Sequence, residues 1–277
     1  MRFKKRFLLG FPFLLVLALP AYAFFIEPYW VKIARVNIQL PPDIRPARDV
    51  KILHLSDFHP QGKVHDRKIL QWAHEENPDL IVLTGDFVES PEMVDRVLDF
   101  VSRLPNVKTY AVLGNWEHWS KIDLKDYQKR LAERSVTLLV NDAEKVRLAG
   151  QDFVVAGVDD PGTWYDDIQK TLQKSAPGYR ILLSHSPWIM KKPESQKFSL
   201  VLAGHCHGGQ VRLPFYGPLW LPRGCSRENY YGLYRYPKTT LYVTSGMGTS
   251  ILPIRFLSRP EMAVILLTPV SKTAVQS

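Results

Sequence analysis

The chain has few cysteines and no long run of charge of one sign. Its 277 residues include two cysteines, Cys206 and Cys225, which excludes a disulfide-dense scaffold and a zinc site of four cysteines. We expect both thiols to be free, with a single disulfide as the alternative. Hydrophobic residues make up 45% and charged residues 23% of the chain, a composition typical of a globular protein that can bury a sizeable core.

The net charge of +9 is unevenly distributed. Residues 1–33 contain five basic side chains and one acidic side chain, a net of +4, which leaves +5 for the rest of the chain. The remainder is only mildly basic, so its charge does not by itself predict a nucleic-acid partner.

The amino terminus has the pattern of a membrane anchor. Residues 2–6 are a basic cluster, and residues 7–26 carry no charge, a length sufficient to cross a bilayer as a helix. We predict an uncleaved anchor in residues 1–33. A signal peptide cleaved after the small-x-small sequence 21–23 is the alternative.

The side of the membrane follows from the basic cluster. Four basic residues ahead of the segment favour a cytoplasmic amino terminus, and a single spanning helix would then place the following domain outside the cytoplasm. Pro12 and Pro20 leave open a segment that dips into one leaflet, with the domain in the cytoplasm. We therefore expect a protein of the inner membrane, and the sequence does not decide on which side of the membrane the catalytic domain lies.

A single large domain is expected after the anchor, in residues 50–268, with a proline-broken connector at 34–49 and a short tail at 269–277. Apolar, β-branched runs alternate with helical patterns, which indicates an α/β fold with layered sheets. The predicted strands are Val50–Ser56, Leu80–Gly85, Thr109–Gly114, Phe153–Val158, Arg180–Ser184, Leu200–Gly204, Thr240–Ser245 and Met262–Leu267, and the predicted helices are His65–Glu76, Pro91–Arg103 and Lys125–Arg134.

Polar residues cluster where the predicted strands end, the usual position of sites in α/β sheets. On extended chain, a spacing of two places Asp57 and His59 on one side, and likewise His205 and His207. Mixed carboxylate and imidazole donors suit Mn²⁺, Fe²⁺ or Zn²⁺ better than calcium. The seven candidate ligands, enough for two cations, are Asp57, His59, Asp86, Asn115, His185, His205 and His207.

The order of these blocks resembles the calcineurin-like metallophosphoesterase superfamily over residues 50–267. The motifs are Asp57-Phe58-His59, Gly85-Asp86, Gly114-Asn115-Trp116-Glu117, His185 and Gly204-His205-Cys206-His207. The extended block 204–214 is similar to a branch whose members often carry an amino-terminal membrane or export segment. Some members of that branch are associated with hydrolysis of UDP-2,3-diacylglucosamine in lipid A synthesis.

The resemblance implies a four-layer αββα sandwich and a division of ligands between two metal ions. Asp57, His59 and His207 would hold the first ion and Asn115, His185 and His205 the second, with Asp86 bridging both. Mn²⁺ is the expected ion, with Fe²⁺ or Zn²⁺ as alternatives. The implied reaction is attack of a metal-bridging hydroxide on a phosphodiester or pyrophosphate.

One position departs from the family pattern, because Trp116 stands where the motif has a histidine that contacts phosphate and often acts as general acid. Tryptophan donates an indole N–H but has no titratable proton. Three readings stay open: His118 replaces that histidine, the leaving group needs no acid, or unactivated monoesters react slowly. We favour the second. Asp86, Asn115 and His118 are thus the candidate catalytic residues, and Trp116, Gly208 and Arg212 the candidate substrate contacts.

The leading hypothesis is a membrane-associated two-metal phosphohydrolase acting on a lipid-linked substrate such as UDP-2,3-diacylglucosamine. A broad-range envelope phosphodiesterase or nuclease is the first alternative, and a metal-binding scaffold without activity is the second. The expected partners are a phosphoester or nucleotide-lipid substrate and the membrane, with no specific nucleic acid.

Overall fold

Two six-stranded β-sheets form the centre of the molecule in this computed structural model, which describes residues 18–60 and 64–270. The strands are β1 (Lys32–Gln39), β2 (Val50–Leu55), β3 (Leu80–Thr84), β4 (Thr109–Val112), β5 (Val136–Leu138), β6 (Asp142–Leu148), β7 (Gln151–Gly157), β8 (Tyr179–Leu183), β9 (Leu200–Ala203), β10 (Arg212–Leu213), β11 (Gly217–Pro218), β12 (Gly232–Arg235), β13 (Thr240–Val243) and β14 (Glu261–Thr268). The α-helices are α1 (Asp66–Glu76), α2 (Val94–Ser102), α3 (Asn115–Trp119), α4 (Leu124–Ala132) and α5 (Ile168–Lys174).

The first sheet has the order β1-β14-β2-β3-β4-β5. The run from β2 to β5 is parallel, while β14 pairs antiparallel with β2 and parallel with β1. Every residue of β3 and β4 is buried, as expected of parallel strands that are covered on both faces.

The second sheet has the order β12-β13-β9-β8-β7-β6. Its four central strands are parallel, and the edge strands β12 and β6 pair antiparallel with their neighbours. The carboxyl ends of the central strands of both sheets therefore provide two sets of loops on which a site can be built.

Three separate groups of buried apolar residues show the layering. One group, with Ile69 of α1 and Val97 of α2, lies between helices and the outer face of the first sheet. A second, with Ile52 of β2 and Phe153 of β7, lies between the sheets. The third, with Ile168 of α5, covers the outer face of the second sheet. The predicted α/β fold with two stacked sheets is confirmed.

The predicted connector 34–49 is partly wrong, because residues 34–39 belong to β1. This strand pairs with β14 over its full length, from Lys32 opposite Glu261 to Gln39 opposite Thr268. The three prolines that suggested a connector, Pro41, Pro42 and Pro46, all follow the strand.

The amino-terminal prediction falls largely on residues 1–17, which lie outside the described residues, as do residues 271–277 of the tail. From residue 18 onwards the chain forms short helical turns, including Tyr22–Ile26 and Glu27–Tyr29. Within residues 18–60 and 64–270, no helix has both the length and the apolar character needed to span a membrane.

Candidate metal centre

The loops after five parallel strands bring the seven predicted donors together. In the first sheet, β2, β3 and β4 lead into the segments that carry Asp57, Asp86 and Asn115. In the second sheet, β8 and β9 lead into His185 and the histidines after residue 204. All seven side chains are buried, which is costly for polar groups unless each finds a partner or a cation.

The backbone at these loops is left-handed rather than extended. The φ angles lie between 43° and 69° at Asp57, His59, Asp86, His205 and His207, a region that non-glycine residues seldom occupy. The explanation of the paired donors by strand alternation is therefore wrong. Tight turns after the strands aim the side chains inward, and His205 and His207 join different clusters.

The first cluster contains Asp57, His59 and His207, whose donor atoms lie within 4.8 Å of one another. The two Nε2 atoms of His59 and His207 are 3.2 Å apart, and His207 Nε2 is 3.4 Å from Asp57 Oδ1. Unprotonated ring nitrogens repel at this separation, so a cation among them would stabilise the arrangement.

The second cluster contains Asp86, His185 and His205, again with donor atoms within 4.8 Å. His185 Nε2 lies 3.1 Å from Asp86 Oδ2, 3.0 Å from His205 Nδ1 and 3.2 Å from Asn115 Oδ1. Asp86 Oδ2 is also 3.6 Å from His59 Nε2 of the first cluster. One carboxylate therefore lies between the two donor sets.

Hydrogen bonds on the far side of three rings fix which nitrogen faces the clusters. Nδ1–H of His59 donates to Glu89 Oε1 at 2.9 Å, and Nδ1–H of His185 donates to the Thr84 carbonyl at 2.8 Å. Nε2–H of His205 donates to the Arg223 carbonyl at 2.8 Å. In each ring the opposite nitrogen is left as a lone-pair donor, the form that binds a metal, so the residues fit two divalent cations.

The pKa shifts of the donors reflect how closely the charged groups are packed. Burial alone would lower the pKa of His59 and His185, but the neighbouring carboxylates, Glu89 and Asp86 foremost, raise both, so a metal ion binding here would displace a proton from each ring. Burial raises the pKa of Asp57.

Burial opposes ionisation of Asp86, but the neighbouring charges, His185 foremost, lower its pKa to about 2. Burial, together with the nearby charges of His59 and Arg255, lowers the pKa of His207 well below its usual range. At neutral pH the carboxylate is ionised and this imidazole is neutral, which are the ligating forms.

Glu117 of the predicted Gly-Asn-x-Glu motif acts on the backbone rather than on the clusters. Its buried carboxylate accepts hydrogen bonds from the backbone N–H groups of Asp86, Phe87 and Val88 after β3, at 2.6–3.0 Å. It accepts a fourth from the N–H of Gly114 after β4, at 2.8 Å. These four bonds fasten two ligand loops together and so position Asp86.

A cavity of about 710 Å³ opens directly above the clusters. Asp86, Asn115 and His205 contribute to its floor, and its walls are largely apolar, with Trp116, Trp119, Leu219, Trp220, Ile251 and Leu252 among them. Arg223 is the one lysine or arginine among the described residues that line it. The space therefore combines a polar floor with apolar sides.

The predicted substrate contacts have different positions. Trp116 lines the cavity, and its ring is 6.1 Å from that of His59. Gly208 is buried at φ 58°, packed against Ser245 and Ser258. Arg212 does not line the cavity, because its Nε donates to the Leu257 carbonyl.

His118, the third candidate catalytic residue, lies beside the cavity rather than in its lining. Its Nε2 is 2.7 Å from Asp159 Oδ1, and its ring stacks on Tyr165 at 4.7 Å. Burial alone would lower the pKa of His118, but the hydrogen bond and charge of Asp159 outweigh it and raise the pKa above its usual value.

The expectation of two free thiols is wrong, because Cys206 and Cys225 form a disulfide. The sequence offered only a count of two, and the proximity depends on how the chain turns after β9. The bond joins the metal-ligand loop 204–209 to a cavity wall, so Cys206 does more than separate two histidines.

Two functional side chains were not predicted. Glu89 orients His59, and Arg255 is fully buried. Arg255 donates to the carbonyls of His207, Ser245 and Ser258, among others. No spacing rule marks these residues, because each lies far in sequence from the groups it supports.

Comparison with known proteins agrees with this geometry. Residues 50–209 match the family model described as calcineurin-like phosphoesterase. The chain is 30% identical to the metallophosphoesterase YkuE of Bacillus subtilis over 89% of this chain and 88% of the relative. It is 28% identical to the phosphodiesterase YaeI of Escherichia coli over 88% and 91%, and 30% identical to a transmembrane protein with metallophosphoesterase domain of Danio rerio over 84% and 56%.

The family model covers more than half of the chain, and the two donor clusters supply the chemistry that such a family needs. The chain therefore belongs to the calcineurin-like phosphoesterase family and is a metal-dependent phosphoester hydrolase.

Proposed function

We propose that this enzyme hydrolyses a phosphodiester or pyrophosphate that carries an apolar, lipid-like group. The observation that carries the proposal is the cavity, whose floor holds the candidate metal ligands Asp86, Asn115 and His205 and whose walls are largely aromatic and aliphatic. An amphiphile would place its phosphate on the floor and its apolar part along the walls. The similarity to a relative named phosphodiesterase supports the diester chemistry.

Two divalent ions fit the donor sets, and Mn²⁺ is the ion we propose, with Fe²⁺ or Zn²⁺ as alternatives. Asp57, His59 and His207 would hold one ion, and Asn115, His185 and His205 the other, with Asp86 between them. When bound, such ions neutralise phosphate oxygens and lower the pKa of water, so that a nucleophile forms near neutral pH.

Trp116 decides which leaving groups suit the enzyme. Its indole N–H can donate to a phosphate oxygen, but it has no proton to give to a departing alkoxide. A nucleotide phosphate leaves from a pyrophosphate without such help. We therefore infer a preference for substrates with a good leaving group.

Arg223 is suited to hold a second anionic group of the substrate. Its guanidinium lies 5.1–5.5 Å from the centres of the Trp164 and Trp188 rings, and it takes no part in an ion pair among the described residues. An arginine can pair two phosphate oxygens at once. This contact would favour a pyrophosphate or a diester over a simple monoester.

The disulfide bears on the location we propose. Disulfides form and persist outside the reducing cytosol, and four basic residues before the uncharged run 7–26 favour a cytoplasmic amino terminus. We propose a membrane-associated protein whose catalytic domain faces an oxidising compartment. UDP-2,3-diacylglucosamine remains the test compound for the chemistry, and a phosphoester of an envelope lipid is the substrate that this location favours.

The decisive experiment is a substrate comparison with the purified full chain. After metal depletion, the protein is loaded with Mn²⁺, Fe²⁺ or Zn²⁺ and assayed on UDP-2,3-diacylglucosamine, bis(p-nitrophenyl) phosphate and an alkyl monoester. We expect the first two to be hydrolysed at least about 100-fold faster than the monoester, because a missing general acid costs that much when the leaving group is poor. Comparable rates on all three would overturn the proposal.

Three variants separate the proposed roles. Trp116→His restores a titratable donor and is expected to raise the monoester rate, while Trp116→Phe does not. His185→Ala is expected to abolish activity on every substrate and to lower the bound metal measured by elemental analysis. Retention of both activity and metal in His185→Ala would show that the assigned centre is not the catalytic one.

A further inference from the structure

The exposed large apolar side chains of the described residues are concentrated around the cavity. They fall in residues 19–30, 213–220 and 251–257, with Trp119, Trp164 and Tyr165 in addition. Exposure is extreme at loop tips, where Phe215 reaches 110% and Ile251 78%. A contiguous apolar patch of this kind marks an interaction surface rather than random variation.

Direct contacts hold three of these segments together, and we call residues 18–30, 211–220 and 250–257 the apolar rim. The first segment is attached to the third, because the Ala23 carbonyl accepts the N–H of Arg255 at 2.9 Å and the ring of Tyr22 meets that of Phe256 at 6.2 Å. Glu27 accepts the N–H of Leu257 at 2.9 Å.

The second segment of the apolar rim joins the third in the same way. Val211 forms a parallel bridge with Phe256, and Arg212 N–H donates to the Phe256 carbonyl at 2.9 Å. Leu219 and Trp220 of the second segment and Leu252 of the third also line the cavity. The apolar rim is therefore one surface, and two of its three segments border the cavity.

The charges of the apolar rim favour an anionic lipid surface as its partner. Its only acidic residue is Glu27, which is fully buried and occupied by backbone N–H groups, while Arg212 and the neighbouring Arg223 and Arg259 are basic. Arg259 lies 4.1 Å from the centre of the Trp30 ring. Aromatic rings mixed with arginine are typical of a membrane–water interface.

The sequence that precedes the apolar rim supports the same partner. The uncharged run that begins at residue 7 continues without a charge into the rim and ends at Ile26, and four basic residues precede it. The chain thus enters the described fold at this surface, next to the mouth of the cavity. A protein partner would not account for this continuity.

We propose that the apolar rim lies in the headgroup layer of a bilayer containing anionic lipid, so that the cavity opens into the membrane and receives its substrate from the lipid phase. The proposed binding to lipid follows from the composition and contacts of the apolar rim alone, and only the delivery of substrate rests on the proposed function. The substrate class that follows is a phosphoester of a membrane-resident lipid.

The test uses the full chain reconstituted into phosphatidylcholine–phosphatidylglycerol vesicles. A polarity-sensitive fluorophore is attached to Phe215→Cys, and in a matched control protein to Arg147→Cys. Arg147 is exposed on β6 near the β6–β7 turn, at the amino-terminal end of β7, whereas the metal ligands follow the carboxyl ends of the central strands. We expect a blue shift and quenching by a nitroxide lipid at position 215 and neither at position 147. Equal exposure to water at both positions would overturn the proposal, and a shift at position 215 that grows with protein concentration without vesicles would assign the face to a second copy.

An activity measurement tests the delivery of substrate. Phe215→Ser is expected to lower hydrolysis of vesicle-borne UDP-2,3-diacylglucosamine about tenfold while leaving soluble bis(p-nitrophenyl) phosphate unaffected, and Phe215→Trp is expected to restore the vesicle rate. Equal losses on both substrates would contradict lipid delivery. If neither substrate is hydrolysed by the unmodified protein, the proposed function fails, while the fluorophore result still decides the membrane contact.

Discussion

At the scale of single residues, Trp116 and His118 have opposite surroundings although both lie on α3. Trp116 faces the cavity, whereas the imidazole of His118 is held between Asp159 and Tyr165. A histidine with a carboxylate at 2.7 Å carries its proton to a higher pH than a free one. His118 therefore contributes to the pH dependence of stability.

We expect Asp159→Asn to destabilise the protein by roughly 1–2 kcal/mol at low pH, because it removes a charge-assisted hydrogen bond. The pKa of His118 is raised in the folded protein, so its contribution is fully present below the unfolded value of about 6.5 and is lost as the pH rises through the folded value. Urea unfolding of chelator-treated proteins, from about pH 5 to about pH 9, would measure the difference. This range extends to either side of the pH at which His118 titrates. The same substitution in a His118→Phe background should show no such pH dependence, and a constant difference in the unmodified background would contradict the assignment.

The identity of the site residues was predictable, but their geometry was not. Taken singly, Asp57 could cap a helix, Asp86 could end a turn and His185 could be a core histidine. Only the combination of such donors, in this order at successive strand ends, pointed to a metal site. The left-handed turns at these loops were not predictable, since non-glycine residues seldom adopt them. Support from Glu89 and Arg255 was missed for a related reason: long-range contacts leave no local pattern.

At the scale of elements, the loop from Trp220 to Ser226 connects the cavity to the second donor cluster. Its Arg223 carbonyl orients His205, its Arg223 side chain lies at the cavity wall, and Cys225 attaches it to Cys206. The disulfide thus fixes a segment that has neither helix nor strand to hold it.

Loss of the disulfide should therefore affect both stability and substrate binding. For the double variant Cys206→Ser and Cys225→Ser, we expect a loss of roughly 2–4 kcal/mol in the free energy of unfolding and an increase in KM larger than the decrease in kcat. Reductant should produce the same change in the unmodified protein and none in the double variant. A non-reduced peptide map without the Cys206–Cys225 link, or unchanged KM after its reduction, would argue against this role.

The central elements were predictable because they are apolar on both faces. All eight predicted strands are present, within one or two residues at each end, whereas the four edge strands of the two large sheets, β1, β5, β6 and β12, were missed. The strand β5 has only three residues, and the other three mix exposed with partly buried residues and contain charges. Their pairing partners, not their composition, make them strands.

At the scale of the whole molecule, the metal centre joins the two sheets. The loops of the first sheet supply Asp57, His59, Asp86 and Asn115, and those of the second supply His185, His205 and His207. Bound cations would link the sheets at an edge where, without them, buried carboxylates and imidazoles face one another. Two bound divalent cations would attract an anionic substrate more strongly than the modest net charge of the chain outside residues 1–33 does.

Removal of metal should therefore lower global stability as well as activity. An ion present at about 1,000 times its dissociation constant stabilises the folded state by about 4 kcal/mol, which corresponds to roughly 10 °C in Tm for a domain of this size. We expect a chelator to lower the Tm by that amount and added Mn²⁺ to restore it, as followed by circular dichroism and elemental analysis. His185→Ala should show a smaller response to chelator, because one cluster is incomplete, whereas His74→Ala, on the exposed face of α1, should respond like the unmodified protein. An unchanged Tm in protein shown to be metal-free would mean that the two sheets are held together without the ions.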